Sequence, residues 1–156
     1  MILFLDFDGV LHPECVSAVA LCRRQEQGDF SCVPLFEQIM REFPQVEIVI
    51  SSAWRETNPL QALRGFFSPD IAPRIVGTTP IFPVDTEARR ECEIRRWLSE
   101  AGRQSEPFVA VDDCPPLFSR NCDFLFYVNP ETALDDACAK ALRKRLLAMT
   151  PPSAAA

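Results

Sequence analysis

Apolar residues fall in short unbroken runs rather than in alternation. Residues 2–5 (Ile-Leu-Phe-Leu) form the first run, which stops at Asp6. Residues 46–50 form a second, interrupted only by Glu47 near its start and stopping at Ser51 and Ser52, and residues 108–111 a third, stopping at Asp112 and Asp113. A continuous apolar run of this length fits a strand buried on both faces, as in a parallel sheet. Residues 74–78 and 124–128 predict two more strands. Between them the apolar period changes to that of a helix. Residues 33–43 carry Leu35, Phe36, Ile39, Met40 and Phe43 on one face, and Pro44 ends the segment. Residues 86–101 predict a helix with Ile94, Trp97 and Leu98 together and Gly102 as its stop. Asn58-Pro59 opens a short helix reaching about residue 64. Pro130 is expected to open a final helix over about 131–149. Residues 15–24 could form a helix before a turn at Gly28-Asp29, and Pro115-Pro116 precede a short helical turn.

Strands alternating with helices imply an α/β domain with a mostly parallel sheet. A chain of 156 residues fits one such domain, expected over residues 1–150, with 151–156 as a flexible tail. The order of the strands matters more than their number. In a parallel sheet the carboxyl ends share one edge, where ligands bind. Asp6, Asp8, Asp112, Asp113, Ser51 and Ser52 are therefore gathered in one crevice. Carboxylates packed together repel, so they call for raised pKa values or a cation. An all-oxygen donor set suits Mg2+, which also binds substrate phosphate. Gly9, directly after Asp8, permits the backbone turn this edge needs.

The run 3–11, Leu-Phe-Leu-Asp-Phe-Asp-Gly-Val-Leu, closely resembles the first motif of haloacid dehalogenase-like (HAD) hydrolases. The resemblance extends over roughly residues 2–130. It implies a three-layer Rossmann-like domain and a magnesium-dependent phosphohydrolase working through an aspartyl-phosphate. Asp6 would be nucleophile and metal ligand, and Asp8 general acid and base, binding metal through its carbonyl. Ser51 or Ser52 would bind the phosphoryl group, with Gly9 beside them. Asp113 would hold metal, with Asp112 a supporting or second ligand. The family's basic residue is usually lysine, but Lys140 and Lys144 come too late in the chain. Arg90, with Arg89 second, takes that place. The Ser-Ser-Ala-Trp-Arg run at 51–55 and the short insert after the first motif resemble a subgroup associated with RNA-repair proteins.

That insert leaves room only for a minimal cap. An open site suits a large or exposed phosphorylated substrate, such as a phosphoprotein, a nucleic-acid end or a polymer-linked phosphate. The formal net charge of −6 does not indicate general nucleic-acid binding, although a local contact stays open. The arginine runs at 23–24, 89–90, 95–96 and 143–145 are candidate patches, the last read as a solvated face. Seven cysteines without a CxxC spacing, and a single histidine, argue against zinc. They read as small core residues with free thiols in a reducing, cytoplasmic setting, and Cys114 lies beside the acidic pair. No apolar run is long enough to span a membrane. His12 reads as structural or solvated, with substrate contact the alternative, and Trp54 as core rather than pocket wall. Competing readings are a phosphotransferase on the same site, a non-catalytic module of the same fold, and a receiver domain. The last lacks its lysine on the final strand. Oligomeric state is not encoded in any of these features.

Overall fold

The computed structural model describes residues 1–150; the tail expected at 151–156 lies outside the described residues. Five parallel strands among them form one sheet in the order β3-β2-β1-β4-β5. These are β1 (Ile2–Leu5), β2 (Glu47–Ile50), β3 (Ile75–Thr78), β4 (Phe108–Asp112) and β5 (Leu125–Tyr127). The helices are α1 (Ala18–Gln27), α2 (Val33–Glu42), α3 (Leu60–Arg64), α4 (Arg89–Glu100) and α5 (Asp136–Met149). This is the α/β Rossmann-like arrangement with helices on both faces.

The pleat divides the core. Leu3, Leu5 and Phe7 face one side with Ile48, Ile50, Val109 and Val111, covered by α2 and α5 through Phe36, Ile39, Leu142 and Leu146. Ile2, Phe4, Val49 and Ala110 face the other, against Ile94 and Leu98 of α4. Both faces are dry, which is why β1 shows no polar alternation. The register then sets the functional edge. Leu5 pairs with Ile50 on one side and Val111 on the other, and Ile50 pairs with Thr78. The next residues, Asp6, Ser51, Asp112 and Thr79, therefore emerge in one row. By alternation Asp6, Ser51 and Asp112 share the parity of Phe4, Val49 and Ala110, the face that carries α4.

Helices α1, α4 and α5 start later than the pattern predicts, α1 at Ala18 rather than 15. Helix α4 begins at Arg89, not 86, because Ala88 adopts a left-handed conformation (φ 48°) that starts the helix abruptly. Helix α5 begins at Asp136, not 131. The amides of Thr132 and Ala133 turn back to the carbonyl of Asn129, Ala133 is left-handed (φ 53°), and Asp135 caps the helix by accepting from the Cys138 amide. Pro130 therefore opens a turn. The cysteines also depart from expectation: Cys15 and Cys22 are exposed and the other five are half-buried. They sit on helix flanks and loops, whereas the core is filled by branched aliphatic and aromatic side chains. All seven thiols are free.

Candidate active site

The edge row meets the first turn of α4. Arg90 Nη1 lies 3.1 Å from Asp6 Oδ2 and 2.6 Å from Asp112 Oδ2. Asp6 is nearly buried, and its Oδ1 accepts the amide of Phe7 at 2.8 Å. Asp112 is fully buried, and its Oδ1 accepts the amide of Cys114 at 2.9 Å. Both carboxylates are thus held by one cation. Burial opposes the guanidinium charge, but Asp6 and then Asp112 outweigh that cost and raise the Arg90 pKa above its ordinary value.

One oxygen each of Asp6, Asp112 and Asp113 lies within 4.8 Å of the others. Burial, then the charge of Asp6, pushes Asp112 up to about 7 against the pull of Arg90. The same two causes push Asp113 up to about 8, and the hydrogen bond its protonated form donates to the Glu14 carboxylate adds to them. Asp113 forms no ion pair among the described residues, so its charge is the one without a partner. Three crowded carboxylates facing a single guanidinium are short of positive charge. Their oxygens match the hard, all-oxygen preference of Mg2+. Gly9 makes the crowding possible. Its φ is +68°, and a Cβ at this position would stand 2.2 Å from Asp113 Oδ2. Gly9 therefore lets Asp113 and the turn come together.

This geometry yields a signed expectation. The folded-state pKa of Asp113 is above its ordinary value, so its neutral form is favoured by folding. Its contribution to stability is complete below about pH 4 and is lost as pH rises through 8. A bound divalent cation reverses the preference. Mg2+ should therefore raise the melting temperature more at pH 9 than at pH 6, and binding should release protons near pH 7. A Mg2+-induced shift that is equal at both pH values, by differential scanning fluorimetry, would contradict the arrangement.

Asp8 stands apart from this cluster, one third exposed. Its Oδ1 is 2.9 Å from His12 Nε2, and its Oδ2 accepts the Trp54 indole N–H at 2.8 Å. Arg24 Nη1 from α1 is 3.6 Å from Oδ1. The bond to His12, then that to Trp54, holds the Asp8 pKa below the usual carboxylate range despite partial burial. Ser51 and Ser52 are both buried. Ser52 accepts the Trp54 amide and caps the 3-10 turn Ala53–Glu56. The Ser51 hydroxyl has no hydrogen-bond partner among the described residues, so it is the freer of the two.

Trp54 packs on the core and also reaches Asp8, so both readings of it hold in part. Arg55 is buried rather than pocket-lining. Its guanidinium donates to the carbonyls of Ser51, Ser52, Thr79 and Pro80, tying off the ends of β2 and β3. Its counter-charge is Glu93, with Nη2 to Oε2 at 2.5 Å. Arg89 binds Glu93 and Glu56, so it braces Arg90's neighbours and does not reach the carboxylates. Glu93 and Glu14 join the site without appearing among the sequence candidates, and Arg24, part of the candidate run at 23–24, reaches it through Asp8. Of the two acids only Glu93 leaves a signal in the sequence: an acid three and four residues after two arginines, beside the apolar Ile94.

A cleft of about 380 Å³ opens over Asp6, Asp8, Arg90 and Asp113, walled by Val16, Cys114, Leu117 and prolines. The other basic runs are engaged: Arg23 with the Glu131 carbonyl, Arg95 with Glu91, Arg143 with Glu42 and Arg145 with the Asp123 carbonyl. No helix among the described residues is long and apolar enough to cross a membrane.

A parallel sheet whose central strand ends in Asp-x-Asp-Gly, with an acidic pair on the neighbouring strand and a basic side chain between them, defines a HAD-type domain. The chain belongs to the family described as the HAD domain in Swiss Army Knife RNA repair proteins, whose family model matches residues 2–139. Membership carries the general class, HAD-type phosphohydrolase or phosphotransferase. No curated protein and no solved structure matches the chain.

Proposed function

We propose that this chain is a magnesium-dependent phosphohydrolase that forms an aspartyl-phosphate on Asp6 and removes a terminal phosphomonoester from RNA. The observation that carries the reading is the setting of Asp6. Its carboxylate is fixed at the strand end by the Phe7 amide and Arg90, beside two further carboxylates, on the floor of an open cleft. Asp6 and Asp113 carboxylates, with the Asp8 carbonyl, would hold Mg2+, which when bound supplies charge neutralisation for the phosphoryl oxygens.

An Asp6 oxygen attacks phosphorus, the bond to the leaving oxygen breaks, and Asp8 gives that oxygen a proton. Asp8 then takes a proton from water, the water oxygen attacks phosphorus, and phosphate leaves with the Asp6 carboxylate restored. Asp8 is a carboxylate in the free protein, which suits the second step. The negative charge of an arriving phosphate raises its proton affinity, which equips it for the first. Arg90 offsets charge on the phosphoryl group with a planar fork of donors.

The substrate class comes from the family description and from the open cleft over Asp6 and Asp8. With a net charge of −6, contact is confined to the phosphorylated end and neighbouring nucleotides. Phosphate release from 5′- and 3′-phosphorylated RNA oligonucleotides, measured against nucleoside and sugar monophosphates with Mg2+ or EDTA, tests the reading. The expected kcat/KM for an RNA end exceeds that for the small esters by roughly tenfold or more, and is lost in EDTA. The opposite preference would refute it.

A further inference from the structure

We propose that His12 is a positioning residue for Asp8: a neutral imidazole, its tautomer set by the backbone, that fixes the direction of the acid–base carboxylate. The inference rests on the role given to Asp8 above. His12 is the single histidine of the chain and is fully buried. A buried histidine with a purely structural task satisfies its two nitrogens within the core. Here one nitrogen is committed to the backbone and the other to a carboxylate of the cleft.

The tautomer follows from donor chemistry. The amide nitrogen of Phe30 lies 3.2 Å from His12 Nδ1. An amide N–H only donates, so Nδ1 accepts and carries no proton. The ring proton of the neutral imidazole then sits on Nε2, 2.9 Å from Asp8 Oδ1, and points at it. Phe30 secures this geometry. It holds a left-handed backbone (φ 59°), its ring meets His12 edge-on at 5.0 Å, and it stacks on Phe66 at 4.2 Å. On the other side the Trp54 indole N–H occupies Asp8 Oδ2. Each Asp8 oxygen thus has one fixed donor, with the Arg24 guanidinium at the longer distance of 3.6 Å from Oδ1, and rotation of the carboxylate would break both short bonds. Asp8 still borders the main cleft and the adjoining groove along Trp54, Thr57 and Asn58. The lone pairs left unclaimed are therefore those available to a leaving oxygen or a water.

His12→Phe keeps the ring and removes the donor, while His12→Gln places an amide N–H at a similar reach. In steady-state assays on an end-phosphorylated RNA, His12→Phe should lower kcat roughly 10- to 100-fold with KM changed less than about threefold, and His12→Gln should recover much of the loss. A readout without turnover comes from nitrogen-resolved NMR. Wild-type His12 should show the Nε2–H tautomer, and the Trp54 indole proton should move upfield in either variant that loosens Asp8. An Nδ1–H tautomer, an unmoved Trp54 resonance in folded His12→Phe, or full kcat in that variant would each overturn the proposal. If the wild type releases no phosphate, the proposed reaction fails, and the tautomer and the Trp54 resonance still decide the role of His12.

Discussion

Asp6→Asn is expected to lower kcat for phosphate release by at least about a thousandfold, while leaving the fold intact. The substitution is nearly isosteric. Its amide oxygen can still accept the Phe7 amide, so the strand end keeps its shape. What disappears is the oxygen proposed as the nucleophile. One negative charge also leaves a cluster in which Asp6 is the second-largest cause raising both Asp112 and Asp113. Relief of that repulsion offsets the lost pairing with Arg90, so the melting temperature should change little in metal-free buffer. Asp8→Asn provides the complementary result. With an aryl phosphate, whose leaving group needs no proton, one equivalent of phenol should appear and turnover should then stall as the acyl-phosphate accumulates. Wild-type rates in Asp6→Asn would remove Asp6 from the chemistry. Steady turnover in Asp8→Asn would remove the base role.

The edge of the sheet was legible because it depends on a few strong local signals. Unbroken apolar runs that end in acids or serines mark parallel strands and their carboxyl ends together. Once β1, β2 and β4 pair in register, Asp6, Ser51 and Asp112 can only emerge side by side. Arg90 was reachable by position, since the helix before the acidic strand must begin near that edge. Less legible was everything set by side-chain reach across long separations. Glu93 lies 38 residues from Arg55, and Trp54 lies 46 from Asp8. No period or spacing encodes those meetings. The insert was ambiguous because α1 has a weakly amphipathic sequence with one buried residue, Ala20. Its contribution rests on Arg24 and on the Phe30 amide beyond it, the second of which has no side-chain signature at all. The late starts of α4 and α5 depend on left-handed alanines, residues that carry no turn signal in a sequence.

Glu93→Ala is expected to cost the largest share of stability of any single substitution near the site, about 3–5 kcal/mol. Glu93 is essentially buried, and its two oxygens accept from Arg55 at 2.5 Å, Arg89 at 3.0 Å and the Phe82 amide at 3.0 Å, with Arg90 Nε 3.8 Å away. Burial is the first cause lowering the Arg55 pKa, and Glu93 is the chief opposing charge. Truncation leaves that guanidinium buried without a counter-charge, still bound to the four carbonyls that end β2 and β3. The protein must then unfold locally or admit water. Either outcome loosens the Ser51–Ser52 turn and the first turn of α4 together, so kcat should fall with stability even though Glu93 touches no substrate. The penalty belongs to the orphaned charge more than to the pair. Arg55→Met combined with Glu93→Leu should therefore cost less than Glu93→Ala alone, because the carbonyls Arg55 leaves unpartnered are a smaller penalty than a buried guanidinium without its counter-charge. Urea unfolding of the two variants beside the wild type separates these cases. A loss under about 1 kcal/mol for Glu93→Ala would mean that the neighbouring carbonyls and Glu56 suffice to hold Arg55 and Arg89.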